Sequence, residues 1–209
     1  MEIVHCDAHL AEKFADEIAE LVWATGPSSY DYHFGRRELF DSLVRRSWLA
    51  PETLFAWDAA RLAVEGDQLL GIEIGFDGPE FRRRQSALAP LWPQMIRAAE
   101  VDEAEIEGVL ARSERASWLN PVVRPRTQYV HALSVKPEQR GRQIGAALLE
   151  HAMQLGRERS CKELQLDVLS DNPAVRFYES RGLRLLVESR APEPESHGVA
   201  PEYRMGIPL

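Results

Sequence analysis

Val135-Lys136-Pro137-Glu138-Gln139-Arg140-Gly141-Arg142-Gln143-Ile144-Gly145-Ala146-Ala147-Leu148-Leu149 is the stretch on which the reading of this chain turns. An apolar strand runs to Val135, Pro137 stops it, and a loop carrying two arginines and two glycines leads into an amphipathic helix. The first turn of a helix presents unpaired N–H groups and a partial positive charge, so it attracts phosphate. Glycine lets the backbone come close to such an anion, and Arg140 and Arg142 add charge. The loop is not a Walker motif, because no Gly-Lys-Ser/Thr follows, and it is not the Rossmann glycine fingerprint. The same spacing also fits an ordinary strand–helix turn with solvated arginines.

Outward from this stretch, Tyr129 to Val135 reads as the strand before the loop. Ile144, Leu148, Ala152 and Leu155 share a face of the helix after it. Leu164 to Val168 alternates as a strand does. Asn172 followed by Pro173 is a helix start, Ala174, Phe177 and Tyr178 form the next apolar face, and Gly182 is a stop. Leu183–Val187 and Tyr203–Ile207 read as strands. The segment between them, Ala191 to Gly198, reads as too proline-rich for a helix. Toward the N-terminus, Ile3–Cys6 is a strand and Leu10, Phe14, Ile18, Leu21 and Val22 mark a helix capped by Asp7. Thr25 to Ser29 reads as an irregular loop, and Leu39, Phe40, Leu43 and Val44 as a second helix. Leu54–Trp57 with Leu62–Val64, then Gln68–Phe76, suggest an antiparallel meander turning at Gly66-Asp67. Residues 79–121 break that pattern and read as a helical insertion. The expectation is one mixed α/β domain over residues 1–209.

Composition narrows the function. The chain has 209 residues, with 25 Lys and Arg against 33 Asp and Glu, for a formal charge of −8. Proteins that grip a nucleic acid backbone usually carry surplus positive charge, so a nucleic acid partner is not expected. No apolar run reaches the ~20 residues of a membrane helix. No secretory signal is evident at the N-terminus, and the two cysteines, Cys6 and Cys161, form no disulfide framework. The expected setting is a reducing cytoplasm.

Arg140-Gly141-Arg142-Gln143-Ile144-Gly145-Ala146 resembles the pyrophosphate loop of the GCN5-related N-acetyltransferases, commonly Arg/Gln-x-x-Gly-x-Gly/Ala. Asp171 to Leu183 is similar to that family's later helix, which typically ends in Phe/Leu-Tyr-Glu-x-x-Gly-Phe. The blocks stand in the family's order with a strand between them, and the resemblance covers residues 127–187. Two positions depart from the pattern: Gln143 stands where a second glycine is common, and Leu183 replaces the usual phenylalanine. The resemblance implies a mixed, mostly antiparallel sheet flanked by helices. It also implies transfer of an acetyl group from acetyl-CoA to an amine by direct attack, without a metal.

The resemblance further implies cofactor contacts at Leu133, Ser134 and Val135 on the strand, and along the loop and helix start at Gln139, Arg140, Gly141, Arg142, Gln143, Ile144, Gly145 and Ala146. Asn172 and Phe177 complete that set. Tyr178 matches the tyrosine that commonly protonates the leaving thiolate; an apolar packing role is its structural alternative. His131 is one candidate base, expected on the same face as Leu133 and Val135 and matching a histidine of arylalkylamine-type members. Glu73, on the preceding strand, is the other. Tyr30, Tyr32, His33 and Phe34 lie where family members wall the acceptor cleft, and with Asp31 they suit a cationic amine. Trp23 belongs to the same aromatic cluster, and core packing is the alternative for these rings, most readily for Trp23 and Phe34. The 79–121 segment is placed to lid the cleft or to make a homodimer contact, and Arg82-Arg83-Arg84 reads as a solvated face. The acceptor is a small-molecule or peptide amine. A non-catalytic acyl-CoA sensor, a protein acetylase and an aminoacyl-tRNA acetylase are the alternatives, and the acidic balance disfavours the last.

Overall fold

A computed structural model describes residues 1–119 and 122–209; Asn120 and Pro121, where the insertion was expected to end, lie outside the described residues. Seven strands form one sheet: β1 (Glu2–His5), β2 (Ala60–Glu65), β3 (Gln68–Asp77), β4 (Thr127–Val135), β5 (Glu163–Leu169), β6 (Arg184–Ser189) and β7 (Glu202–Pro208). Their spatial order is β1-β2-β3-β4-β5-β7-β6. Every neighbouring pair is antiparallel except β4–β5. The expected mixed, mostly antiparallel sheet flanked by helices is therefore what the chain forms.

One face carries α1 (Ala8–Trp23) and α3 (Arg37–Leu49), which bury Phe14, Ile18, Phe40 and Trp48 against Leu62, Ile72, Ile74 and Phe76. Asp7 starts α1 by accepting a hydrogen bond from the Leu10 N–H at 2.9 Å. The buried Trp48 indole donates to the Ala11 carbonyl at 2.8 Å, tying α3 to α1. Each of these large side chains contributes about 1.5–3 kcal/mol through burial. The other face carries α7 (Ile144–Glu158) and α8 (Ala174–Ser180), which cover Val130, Leu164, Leu166 and Met205.

Three local expectations are corrected. The aromatic loop after α1 is a helix, α2 (Pro27–Phe34), with proline in its first turn and left-handed Gly35 (φ 73°) closing it. Its eight residues are too few and too polar to show a helical period. Leu54–Trp57 is not a strand. The Ser47 hydroxyl accepts from the Phe55 N–H and meets the Thr53 hydroxyl, holding a turn that ends in a short 3-10 helix at Trp57–Ala59. The proline-rich segment forms α9 (Pro192–Ser196), because Pro192 sits in the first turn, where a missing N–H leaves nothing unpaired.

The insertion is helical as expected: α4 (Glu80–Ser86), α5 (Trp92–Arg97) and α6 (Glu103–Arg115). α6 opens with a capping box between Asp102 and Glu105. Met95, Ile106 and Val109 pack on Leu39 and Leu43 of α3. The segment thus shares a core with the N-terminal helices.

Two irregularities in the sheet prepare the site. β4 and β5 pair only from Thr127–Glu163 to Val130–Leu166. Beyond that point β4 stays with β3 and β5 with β7, so the parallel pair opens into a gap. At the mouth of the gap β4 carries a bulge: Val130 pairs with Gly75 and Ala132 with Ile74, leaving His131 as the extra residue.

Candidate active site

The gap between β4 and β5 opens into a cavity of about 1580 Å³. One side is formed by the end of β4, the loop to α7 and the start of α8. The other is roofed by α2, α4 and α6.

On the first side, Gln143 adopts a left-handed conformation (φ 60°) and Gly141 another (φ 83°), turning the chain sharply into α7. Among the described residues, the N–H groups of Gly141 to Ala146 have no acceptor; Ala147 is the first to find one, the Gln143 carbonyl at 3.1 Å. Five of these six residues, Gly141 and Gln143 to Ala146, line one end of the cavity, and a run of free amides at a helix start is the arrangement that holds an anion. A side chain added at Gly141 meets nothing within 4 Å. At Gly145 its nearest neighbours are Val135, Leu133 and Phe177, in ordinary contact at 3.6–3.7 Å. Arg140 lines the cavity and is exposed. Arg142 turns away, making a forked pair with Glu65 at 3.0 Å to each oxygen and a bond to Gln139.

Leu133, Ser134 and Val135 line the cavity, as do Asn172, Phe177 and Tyr178. Asn172 has structural work as well: its amide donates to the Thr25 carbonyl and its oxygen accepts from the Ala174 N–H. Tyr178 is 6% exposed, packed among Leu166, Val168 and Phe177. Burial pushes its hydroxyl up from the ordinary tyrosine value, so it holds its proton across the physiological range.

His131 lines the cavity from the opposite layer. Its ring lies 5.2 Å from Phe55, 5.8 Å from Phe81 and 6.1 Å from Phe76. The bulge defeats the alternation that predicted a common face: Leu133 and Val135 pack toward α7, whereas His131 faces the aromatic layer. Burial among these rings lowers its pKa to about 4, and its Nε2 is buried without a partner. Glu73 lies outside the cavity lining. It is 1% exposed, on the α7 face of the sheet near Gln128, which itself packs on Gly156 of α7. Burial raises its pKa to about 8, opposed by the charges of Arg61 and Arg159.

The α2 aromatics divide. Tyr30, His33 and Phe34 line the cavity. Tyr32 points the other way, into a core with Leu169, Ala191 and Val199, because one residue in a helix turns the side chain by about 100°. Trp23 is packed on Phe40, with the Arg37 guanidinium over its ring. Of the arginine run, Arg82 lines the cavity and Arg83 is exposed. Arg84 is buried, paired with Asp58 and Glu80, and is not part of a solvated face.

Sequence reasoning missed a cluster on β5 and β7. The antiparallel register sets Asp167 opposite Arg204 and Leu169 opposite Glu202. Arg204 grips Asp167 at 2.5 and 2.8 Å, and the Tyr129 hydroxyl donates to Asp167 at 2.9 Å. Asp167, Glu202 and Tyr129 all line the cavity. Asp167 stands at a polar position of an alternating strand, beside Gln165, so nothing in the sequence set it apart.

A model of the acetyltransferase (GNAT) family matches residues 46–183, and the chain belongs to that family of acyltransferases. An uncharacterized N-acetyltransferase of Archaeoglobus fulgidus is 36% identical over 108 residues. That match covers 51% of this chain and 66%, just under two thirds, of the relative. An N-acetyltransferase from Staphylococcus aureus Mu50 has a similar fold, with a TM-score of 0.71 at 14% identity over 99% of this chain and 100% of that one. The PaiA N-acetyltransferase from Thermoplasma acidophilum, solved in complex with coenzyme A, aligns with a TM-score of 0.55 at 14% identity, covering 100% of this chain and 98% of that one.

Proposed function

We propose that this chain is an N-acetyltransferase that moves the acetyl group of acetyl-CoA to a primary amine by direct attack. The observation that carries the reading is the run of unpaired amide donors from Gly141 to Ala146, of which Gly141 and Gln143 to Ala146 line one end of a cavity that also contains Tyr178. A volume of about 1580 Å³ exceeds the roughly 300–1,000 Å³ of a pocket for one small ligand, so there is room for a cofactor and an acceptor together.

In this reading the pyrophosphate sits on the amides of the α7 start, with Arg140 adding charge. The pantetheine arm runs along the unpaired edge of β4 at Leu133 to Val135, beside Asn172 and Phe177. These residues belong to an acetyl-CoA-binding core at 127–187 within one domain. The Val135 N–H polarises the thioester carbonyl. The amine lone pair attacks that carbon, the C–S bond breaks with its electron pair on sulfur, and Tyr178 supplies the sulfur's proton. Tyr30, His33, Phe34 and the neutral His131 ring wall the acceptor. Glu73, behind the sheet, takes no direct part.

The test is thiol release from acetyl-CoA with and without a panel of primary amines, alongside thermal unfolding with coenzyme A. Amine-dependent release together with stabilisation supports the reading. Stabilisation without release from any amine would make the chain an acyl-CoA sensor.

A further inference from the structure

We propose that α4, α5 and α6 build, with α2 and α3, an apolar chamber for the body of the acceptor, and that the acceptor is a primary amine borne on a hydrocarbon or aromatic body. This deepens the acetyl-transfer reading and rests on it.

The cavity lining sorts by depth. Among the described lining residues between 24 and 123, the Lys, Arg, Asp and Glu side chains are Arg82 on α4 and Glu114 on α6, and both are exposed. His33 and Ser113 are half-buried, as are the rings of Tyr30, Phe34, Phe81 and Trp92. Leu43, Leu54, Phe55, Val109, Ala116 and Val123 are buried, and none of their side chains carries a polar group. Charge therefore stands at the mouth, and the depth is hydrocarbon.

That depth lies where two cores meet. Leu43 and Val109 belong to the cluster that α3, α5 and α6 share with Met95 and Ile106. Leu54 and Phe55 belong to the cluster of Phe40 and Ile74 against the sheet. The cavity touches both, so the helical segment covers the N-terminal helices without sealing against them. Protein interiors normally close to crystal density, and side chains facing an unfilled space forfeit contacts. Water is a poor filler there, because it needs polar partners that this wall does not offer. An apolar ligand restores the contacts.

The chamber also opens onto the reacting end of β4. His131 stands at the junction, 5.2 Å from the Phe55 ring and 5.8 Å from that of Phe81, and burial keeps it uncharged at neutral pH. The five helices α2 to α6 supply neither the free amides of Gly141 to Ala146 nor the edge of β4. They form the side away from the cofactor. With only an acetyl group to be moved, the space on that side is left to the body of the amine.

The experiment uses ethylamine, butylamine and hexylamine as probes, with acetyl-CoA for turnover and calorimetry on the coenzyme A-loaded protein. Each methylene that leaves water should tighten binding about fourfold, with a negative heat-capacity change. Val109→Phe sets a ring into the chamber, and Leu43→Ala removes part of its wall. The first should lower the ratio of kcat/KM for hexylamine to that for ethylamine by about 10-fold, and the second should extend the gain to octylamine. A general loosening of the fold cannot give opposite shifts. Equal affinity along the series in the unaltered protein, a test that needs neither variant to fold, overturns the chamber. A loss spread evenly over all lengths in Val109→Phe does the same. So does a preference for hexanoyl-CoA over acetyl-CoA that Val109→Phe abolishes, since the space would then belong to the thioester. Binding that tightens with length but brings no thiol release upholds the chamber and defeats acetyl transfer.

Discussion

Tyr178 keeps its proton because its hydroxyl is buried, and that same burial makes it a reluctant donor. A coenzyme A thiolate, comparable to a cysteine thiolate near ~8.5, leaves a thioester without much help. Tyr178→Phe preserves the ring and its contact with Phe177, so the fold and coenzyme A affinity should hold while kcat falls ~10-fold or more, as read by thiol release. An unchanged kcat, with chemistry rate-limiting, would leave Tyr178 as packing alone. Asp167 carries a different kind of burden. It and Arg204 are 4% and 5% exposed, and removing one charge strands the other. Asp167→Asn should lower unfolding stability by about 3–5 kcal/mol, measured with urea. A loss below 1 kcal/mol would mean that water reaches the pair.

The turn into α7 was legible in sequence because the features that suit it to an anion are local. Glycine, a left-handed turn and free amides are properties of consecutive residues, and they needed no partner to be read. Gly141→Glu tests it. The substitution strains a positive φ and sets a carboxylate against the amide cradle, so coenzyme A should no longer raise the melting temperature. Normal coenzyme A binding in that variant, by calorimetry, would rule the loop out. The opposite side of the cavity was not legible in the same way. Its charged cluster exists because β7 folds back on β5 and brings Glu202 and Arg204 beside residues far away in the chain. One bulged residue reversed the expected facing of His131, and α2 separated Tyr32 from Tyr30, His33 and Phe34. Periodicity assigns residues to faces only where the element is regular and its boundaries are known.

Across the molecule, buried ionisable groups shape the pH dependence of folding. Glu73 and Glu202 both sit near 8 in the fold, against an ordinary carboxylate value near ~4.3. The folded chain therefore holds protons that the unfolded chain has released, and stability declines as pH rises through that window. His131 acts at the other end. Its value of about 4 is below the ordinary ~6.5, so stability is lost as pH falls from there toward 4. Glu73→Gln should raise the urea midpoint at pH 8.5 and change it little at pH 5. Because Glu73 stands behind the sheet, the coenzyme A-induced shift should be untouched. A variant equally affected at both pH values would place the effect in packing and not in the proton.

The opening between β4 and β5 also sets an order of encounter. A strand pair that parts halfway is an unfinished sheet, and an extended arm laid along β4 completes it while closing the back of the acceptor chamber. An amine that arrives before the thioester meets a chamber with no rear wall. In the acetyl transfer proposed above, the thioester is then expected to enter first and the amide to depart before the free thiol. Initial-rate lines for the two substrates should intersect, and free coenzyme A should compete with acetyl-CoA but not with the amine. Parallel lines would mean that the acetyl group rests on the protein between the two events.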